Sequence, residues 1–226
     1  MLRNSKYFRA VVGATAVAAL SFPLAACSDD SSNDNNNSNQ SQAKPELVAE
    51  VSNLTGDGTQ VTLDQGFVDA LTSLKLTPGT VGDATLAEGA ITFPITGGDV
   101  KYFKPGSVDP YVQGLVEHDG SGLSLTAGKT TVELTDFEVD PAKSQLFGDV
   151  SVNGKQAAER APLFNLDGRT LKPLQTEGDI AILEGTKVSV SDDAAALLND
   201  TFKTDGVKGG LLVGIAKISI DTQSGQ

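Results

Sequence analysis

The stretch Thr130-Thr131-Val132-Glu133-Leu134-Thr135-Asp136-Phe137-Glu138-Val139 decides the fold class. Two apolar residues before Asp136 alternate with polar ones, and two after it alternate in the opposite phase. A period of two is typical of a β-strand with one buried face. The change of phase predicts a β-bulge between Leu134 and Phe137.

The same alternation, interrupted by Gly, Asn and Asp turns, recurs through most of the chain after Pro45. It predicts a mainly β fold, an antiparallel sandwich or barrel. The further strand candidates are residues 47–51, 60–63, 90–95, 99–103, 123–125, 145–152, 161–166, 180–183, 187–190 and 211–220.

Two glycine-containing pairs are candidate hairpin turns. Gly97-Gly98 is expected to join residues 91–95 to residues 100–103, and Asn153-Gly154 is expected to close a second hairpin after Val152.

Two short segments carry a helical pattern, and each follows a strand. Residues 65–74 follow Asp64, and residues 192–202 follow Ser191, so Asp64 and Ser191 are predicted N-caps. Because each helix leads to a second strand, the two segments suggest a pseudo-symmetric strand-helix-strand repeat with a helix closing each end of the domain.

The N-terminus is typical of an exported protein. Basic residues Arg3, Lys6 and Arg9 precede an uncharged apolar run over residues 10–22, which together predict a signal peptide. The run is shorter than the roughly 20 residues that a membrane-spanning helix needs.

Leu24-Ala25-Ala26-Cys27 resembles the lipobox of bacterial lipoproteins. The resemblance implies a signal peptide over residues 1–26 and lipid on Cys27, the one cysteine of the chain, which would anchor the protein to the outer face of the cell membrane. Residues 27–44 lack large apolar side chains and are expected to form a disordered polar tether. Residues 45–226 would then form one extracytoplasmic β-rich domain.

The net negative charge of the chain limits the classes of partner that it can bind. The chain has 17 basic and 29 acidic residues, and three of the basic residues lie in the predicted signal peptide. Such an acidic protein repels phosphate backbones, so we expect no nucleic-acid partner.

The sequence lacks Walker, GxGxxG, HExxH, CxxC and GxSxG motifs, so no catalytic residue and no metal site are predicted. His118, the one histidine, has Asp119 and Gly120 after it and is expected at a turn, either facing solvent or packed against a neighbouring carboxylate. As a general base it would need a nucleophile and an orienting carboxylate, which leaves a hydrolase as an unfavoured alternative.

A ligand role for His118 is the other alternative. Its imidazole could hold an iron or a haem edge with a tyrosine opposite, and Tyr102 and Tyr111 are the two tyrosines after the predicted cleavage site. Calcium at the Asp119-Gly120 or Asp167-Gly168 loops is a further alternative, although neither has EF-hand spacing.

Residues 114–152, with the His118-x-Gly120 turn followed by Leu123-x-Leu125 and two strands, resemble part of the HtaA-type haem-uptake domain of actinobacterial surface proteins. The resemblance implies a β-rich fold that binds haem through a tyrosine helped by a histidine. The tryptophan-containing N-terminal motif of that family is missing, so neither Tyr111 nor Tyr102 aligns with the ligand tyrosine. The segment Phe93–Gly98 is also similar to secreted actinobacterial proteins without an assigned activity.

Taken together, these patterns predict a lipid-anchored binding or scaffold protein of the cell envelope rather than an enzyme. Its partner would be an envelope protein or a small hydrophobic ligand. Haem is the candidate cofactor, with Tyr111, His118 and Tyr102 as candidate ligand-binding residues.

Overall fold

The computed structural model describes residues 44–223, and the predicted signal peptide, Cys27 and most of the tether lie outside them. Within the described residues the chain forms thirteen strands, two α-helices and one 3₁₀ turn. In chain order they are β1 (Leu47–Ser52), β2 (Gly58–Leu63), α1 (Gln65–Ser73), β3 (Thr77–Gly82), β4 (Thr85–Ala87), β5 (Ala90–Phe93), β6 (Gly97–Phe103), β7 (Val112–Ala127), β8 (Thr130–Asp140), β9 (Gln145–Val152), β10 (Lys155–Asp167), the 3₁₀ turn (Gly168–Thr170), β11 (Gln175–Glu177), β12 (Ile180–Val190), α2 (Asp192–Phe202) and β13 (Leu212–Asp221).

All strands belong to one antiparallel sheet in the order β1-β6-β7-β8-β9-β10-β12-β13-β2-β5-β4, with β11 on β12 and β3 on β7. Strand β7 is long enough to pair with β6 along its first half and with β3 along its second. Strand β4 forms the far end of the sheet, and β3, which directly precedes β4 in the chain, pairs with β7. The chain therefore links that far end back to β7. The sheet is therefore a curled half-barrel, and the predicted mainly β fold with two short helices is confirmed.

Bulges lie near the middle of the long strands and bend the sheet. The register shifts after His118 in β7, after Thr135 in β8 and after Ala158 in β10. The bulge predicted in β8 is confirmed, since Asp136 has a φ of 53° and its side chain accepts a hydrogen bond from the Gly120 backbone N–H at 2.8 Å.

One of the two predicted hairpins is wrong. Strands β9 and β10 are joined by Asn153-Gly154 as expected, both with positive φ. In contrast, β5 and β6 do not pair, and Gly98 lies inside β6, where an added Cβ would overlap the carbonyl oxygen of Leu115 on β7. The glycine is needed for close strand approach, not for a turn.

The two strand-helix-strand units lie side by side, since β12, β13, β2 and β5 are neighbours in the sheet. Their helices begin as predicted: the Asp64 carboxylate accepts from the Gly66 N–H at 2.8 Å, and Ser191 Oγ accepts from the Ala194 N–H at 2.9 Å. Both helices start beside the first residues of β13, where Asp64 N–H donates to the Val213 carbonyl. The expectation of a helix closing each end is wrong, because β2 and β12 run in the same direction on either side of β13.

The buried apolar residues form two clusters inside the curl. The larger lies beneath the helices and includes Phe67, Leu198 and Val132. The smaller lies between the β1–β6 edge and β12–β13 and includes Leu54 and Ile220.

Candidate ligand-binding cavity

A cavity of about 380 Å³ lies where the two apolar clusters meet. Residues of eight strands, β2, β5, β7, β8, β9, β10, β12 and β13, line it. Successive strand residues face opposite sides of a sheet, so mostly alternate residues of each strand take part. Its apolar lining includes Val61, Phe93, Phe137, Phe164, Val188 and Ala216. Its volume falls within the range of about 300–1,000 Å³ that is usual for small-molecule sites.

His118 lies in the cavity wall and not at an exposed turn, so the solvent-facing interpretation is wrong. It belongs to β7 and is 1% exposed. Its Nε2 lies 2.8 Å from Thr59 Oγ1, and its Nδ1 lies 3.3 Å from the Phe137 carbonyl oxygen. The glycine that follows the histidine, Gly120, serves the β7 bulge, which is why the sequence resembles a turn.

These two partners define the tautomer of the neutral ring. A carbonyl oxygen only accepts hydrogen bonds, so Nδ1 carries the proton and donates to Phe137. Nε2 then holds the lone pair and accepts from the Thr59 hydroxyl. Burial lowers the pKa of His118 to about 4, against a smaller raising effect of the Phe137 and Val116 carbonyls. The ring is neutral at pH 7.

The general-base alternative finds no support in these contacts. Both ring nitrogens of His118 are engaged by Thr59 and Phe137, and the nearby Ser121 hydroxyl donates to the His118 backbone carbonyl at 3.1 Å rather than to the ring.

Tyr111 also lines the cavity, in the segment that enters β7. Its ring forms an edge contact with Tyr102, with centroids 5.7 Å apart and planes at 86°. Burial, followed by the neighbouring Tyr102, raises the pKa of Tyr111, so the phenol is protonated at neutral pH. The structure thus brings together two of the three predicted ligand residues at one cavity, and Tyr102 contacts the cavity residue Tyr111 from beside it.

The polar part of the lining includes Asp109, Asp167 and Arg169. Asp167 caps the 3₁₀ turn by accepting from the Arg169 N–H at 3.0 Å, and its carboxylate receives two bonds from the Arg169 guanidinium. These bonds hold the pKa of Asp167 well below its usual range. Asp167 is therefore committed to a local ion pair. Among residues 44–223, no group of three or more potential metal-ligating His, Cys, Asp or Glu residues occurs.

Sequence reasoning missed Thr59 and the two phenylalanines beside the histidine, Phe93 and Phe137. The Phe93 ring makes two edge contacts. Its centroid lies 6.4 Å from that of the His118 ring and 5.2 Å from that of the Phe137 ring. Thr59 is 59 residues from His118 in sequence, and no local pattern distinguishes it from other strand threonines.

Fold and cavity together define a curled β domain with an apolar interior site. The structure is similar to the C-terminal domain of HtaA from Corynebacterium glutamicum, with 14% identity and a TM-score of 0.50 over 74% of this chain and 98% of that chain. A second solved structure, the heme binding protein HtaB of the same organism, has 10% identity and a TM-score of 0.46 over 76% of this chain and 96% of that chain. No protein-family model and no curated protein sequence matches the chain. The predicted HtaA-type resemblance is confirmed at the level of the fold.

Within residues 44–223, neither helix has the length and apolar character needed to cross a membrane.

Proposed function

We propose that this domain binds a flat hydrophobic small molecule in its apolar cavity, with haem as the first candidate. The observation that carries the proposal is an apolar cavity of about 380 Å³ lined by a tyrosine and a neutral histidine. The shared fold with the HtaA domain and the HtaA-type resemblance of residues 114–152 motivate haem among such molecules.

The lining fits an apolar ring system. Phe93, Phe137 and Phe164 offer aromatic surface, and such side chains contribute strongly to binding when they are buried against a ligand. The volume lies toward the lower end of the usual range, so a porphyrin would place one edge inside and leave the rest at the polar residues of the lining.

The two candidate ligands, His118 and Tyr111, differ in whether their ligating atom is free to coordinate a haem iron. His118 Nε2 already accepts from the Thr59 hydroxyl, so its lone pair is occupied. Tyr111 is half-buried at the cavity, and coordination would require loss of its phenol proton. We therefore assign Tyr111 as the residue that would hold a haem iron and His118 as a wall residue. A bound haem would supply an iron that accepts an axial ligand, together with a strong Soret absorbance.

A haem titration followed at the Soret band tests the proposal. We expect saturable one-to-one binding, a changed Soret position in Tyr111→Phe, and wild-type behaviour in Tyr102→Phe, which removes a hydroxyl from a tyrosine that does not line this 380 Å³ cavity. Iron-free protoporphyrin separates ring binding from ligation, since it should bind wild type and Tyr111→Phe alike. A linear, non-saturable titration with both molecules would contradict the proposal.

Lipid anchoring belongs to the same proposal. A lipidated Cys27 followed by a polar tether would display the cavity outside the cell membrane. Metabolic labelling with a fatty acid tests this, because Cys27→Ala should abolish the label and release the protein into the medium. Label retained in that variant would exclude Cys27 as the lipid attachment site.

A protein-binding scaffold is the second candidate, favoured by the sheet edge. Leu47 and Val48 on edge strand β1 are 48% and 58% exposed. An edge strand with exposed apolar residues can pair with a strand of another chain. Cross-linking on intact cells should capture an envelope protein in wild type and lose it when both residues are replaced by Lys.

A further inference from the structure

A second apolar cavity of about 140 Å³ lies beside the first. It lies between the β1–β6 edge of the curled sheet and strands β11, β12 and β13. Its walls include Val51 and Val100 on one side and Ala181 and Ile220 on the other.

The two cavities are separated by side chains. Leu183 and Ile218 line both of them, and these two residues are direct cross-strand partners on β12 and β13. On the opposite side, Tyr111 lines the first cavity and Tyr102 lines the second, and their rings are in edge contact. Aliphatic side chains exchange between staggered rotamers, so a change at Leu183 or Ile218 would join the two spaces.

We infer that the two cavities form one two-chamber site whose ligand combines a flat apolar ring system with a slender apolar arm. The ring system occupies the larger chamber, and the arm passes Leu183 and Ile218 into the smaller one. This inference rests on the proposed function, because it assumes that the larger cavity binds a ring.

The size of the smaller chamber sets the length of the arm. If each methylene takes about the 30 Å³ that a water molecule occupies in the liquid, the chamber holds about four or five. Burying one methylene is worth about 0.8 kcal/mol, which corresponds to about fourfold in dissociation constant. Affinity should therefore rise steeply with arm length and then level off.

Pyrene and a series of 1-alkylpyrenes from methyl to octyl provide the probe, with pyrene fluorescence as the readout on the full-length protein. Wild type should gain about fourfold in affinity per added methylene up to about five carbons. Ala181→Leu fills only the smaller chamber, so it should bind methylpyrene like wild type and lose the gain from longer arms. Ala157→Leu, at an exposed position of β10 outside both cavities, is the matched control and should behave like wild type.

Ala49→Leu provides a second obstruction of the smaller chamber at an exposed position of edge strand β1, and it decides the matter if Ala181→Leu does not fold. An undiminished chain-length gain in the obstructed variants would overturn the two-chamber site while leaving ring binding intact. Failure of every pyrene to bind wild type would overturn the proposed function together with this inference.

Discussion

Lowering the pH should destabilise the protein through one buried side chain. His118 has a pKa of about 4 in the folded state because of burial, whereas an unfolded histidine titrates near 6.5. Below pH 6.5 the unfolded chain therefore binds a proton that the folded chain does not, and stability falls as pH falls until the folded pKa is reached. The pH window of the effect is thus about 6.5 to 4.

The size of the effect follows from the two pKa values. At pH 5 the unfolded state gains about 2 kcal/mol from protonating this histidine, and at pH 7 it gains only about 0.2 kcal/mol. The free energy of unfolding should thus decrease by nearly 2 kcal/mol between pH 7 and pH 5 from this residue alone.

Urea denaturation at several pH values measures this change. His118→Gln serves as the reference, because it retains a buried polar side chain and cannot titrate in this range. Carboxylates change protonation in both proteins, so the difference between the two pH slopes isolates His118. Equal slopes between pH 7 and pH 5 would refute the buried, neutral imidazole.

Three further predictions concern packing, strand approach and capping, and equilibrium denaturation measures each. Leu54→Ala, at a position that is 1% exposed, should cost about 2–5 kcal/mol, whereas Leu86→Ala, 47% exposed on β4, should cost less than about 0.5 kcal/mol; similar costs would mean that Leu54 is not in a core. Gly98→Ala should lower the free energy of unfolding clearly more than Gly89→Ala does. Both glycines have positive φ, but only a Cβ at Gly98 would overlap a neighbouring strand, so Gly89→Ala is the matched control. Equal losses would mean that β6 lies farther from β7. Ser191→Ala should cost about 1 kcal/mol by removing the cap of α2, and an unchanged stability would exclude that cap.

Local features of the fold were readable from the sequence because their causes are local. The bulge in β8 follows from the phase change between Leu134 and Phe137, and the caps Asp64 and Ser191 follow from the residue types that precede a helical pattern. The Asn153-Gly154 hairpin likewise depends on two adjacent residues that tolerate positive φ.

Features that depend on distant segments were not readable. The order of strands in the sheet places β2 next to β13, a pairing across about 150 residues that no local pattern specifies. The Gly97-Gly98 pair has the composition of a turn, yet it allows β6 and β7 to approach closely.

The candidate site likewise combines features that the local sequence predicts with features that depend on distant segments. Tyr111 and His118 were identifiable as rare residue types, and the structure places both at the cavity. The burial of His118 depends on Phe137, its cross-strand partner on β8, and on Thr59, which the curl of the sheet brings to it from β2.

The central claim is that the larger cavity is a ligand site, and filling it tests this most directly. Ala216→Phe places a ring in the cavity from β13, and Ala157→Phe adds the same ring at an exposed position. Iron-free protoporphyrin binding, followed by its fluorescence, should be lost in Ala216→Phe and retained in Ala157→Phe, with cooperative unfolding confirming that both variants are folded. Undiminished binding in a folded Ala216→Phe variant would show that the ligand lies elsewhere and would contradict the account.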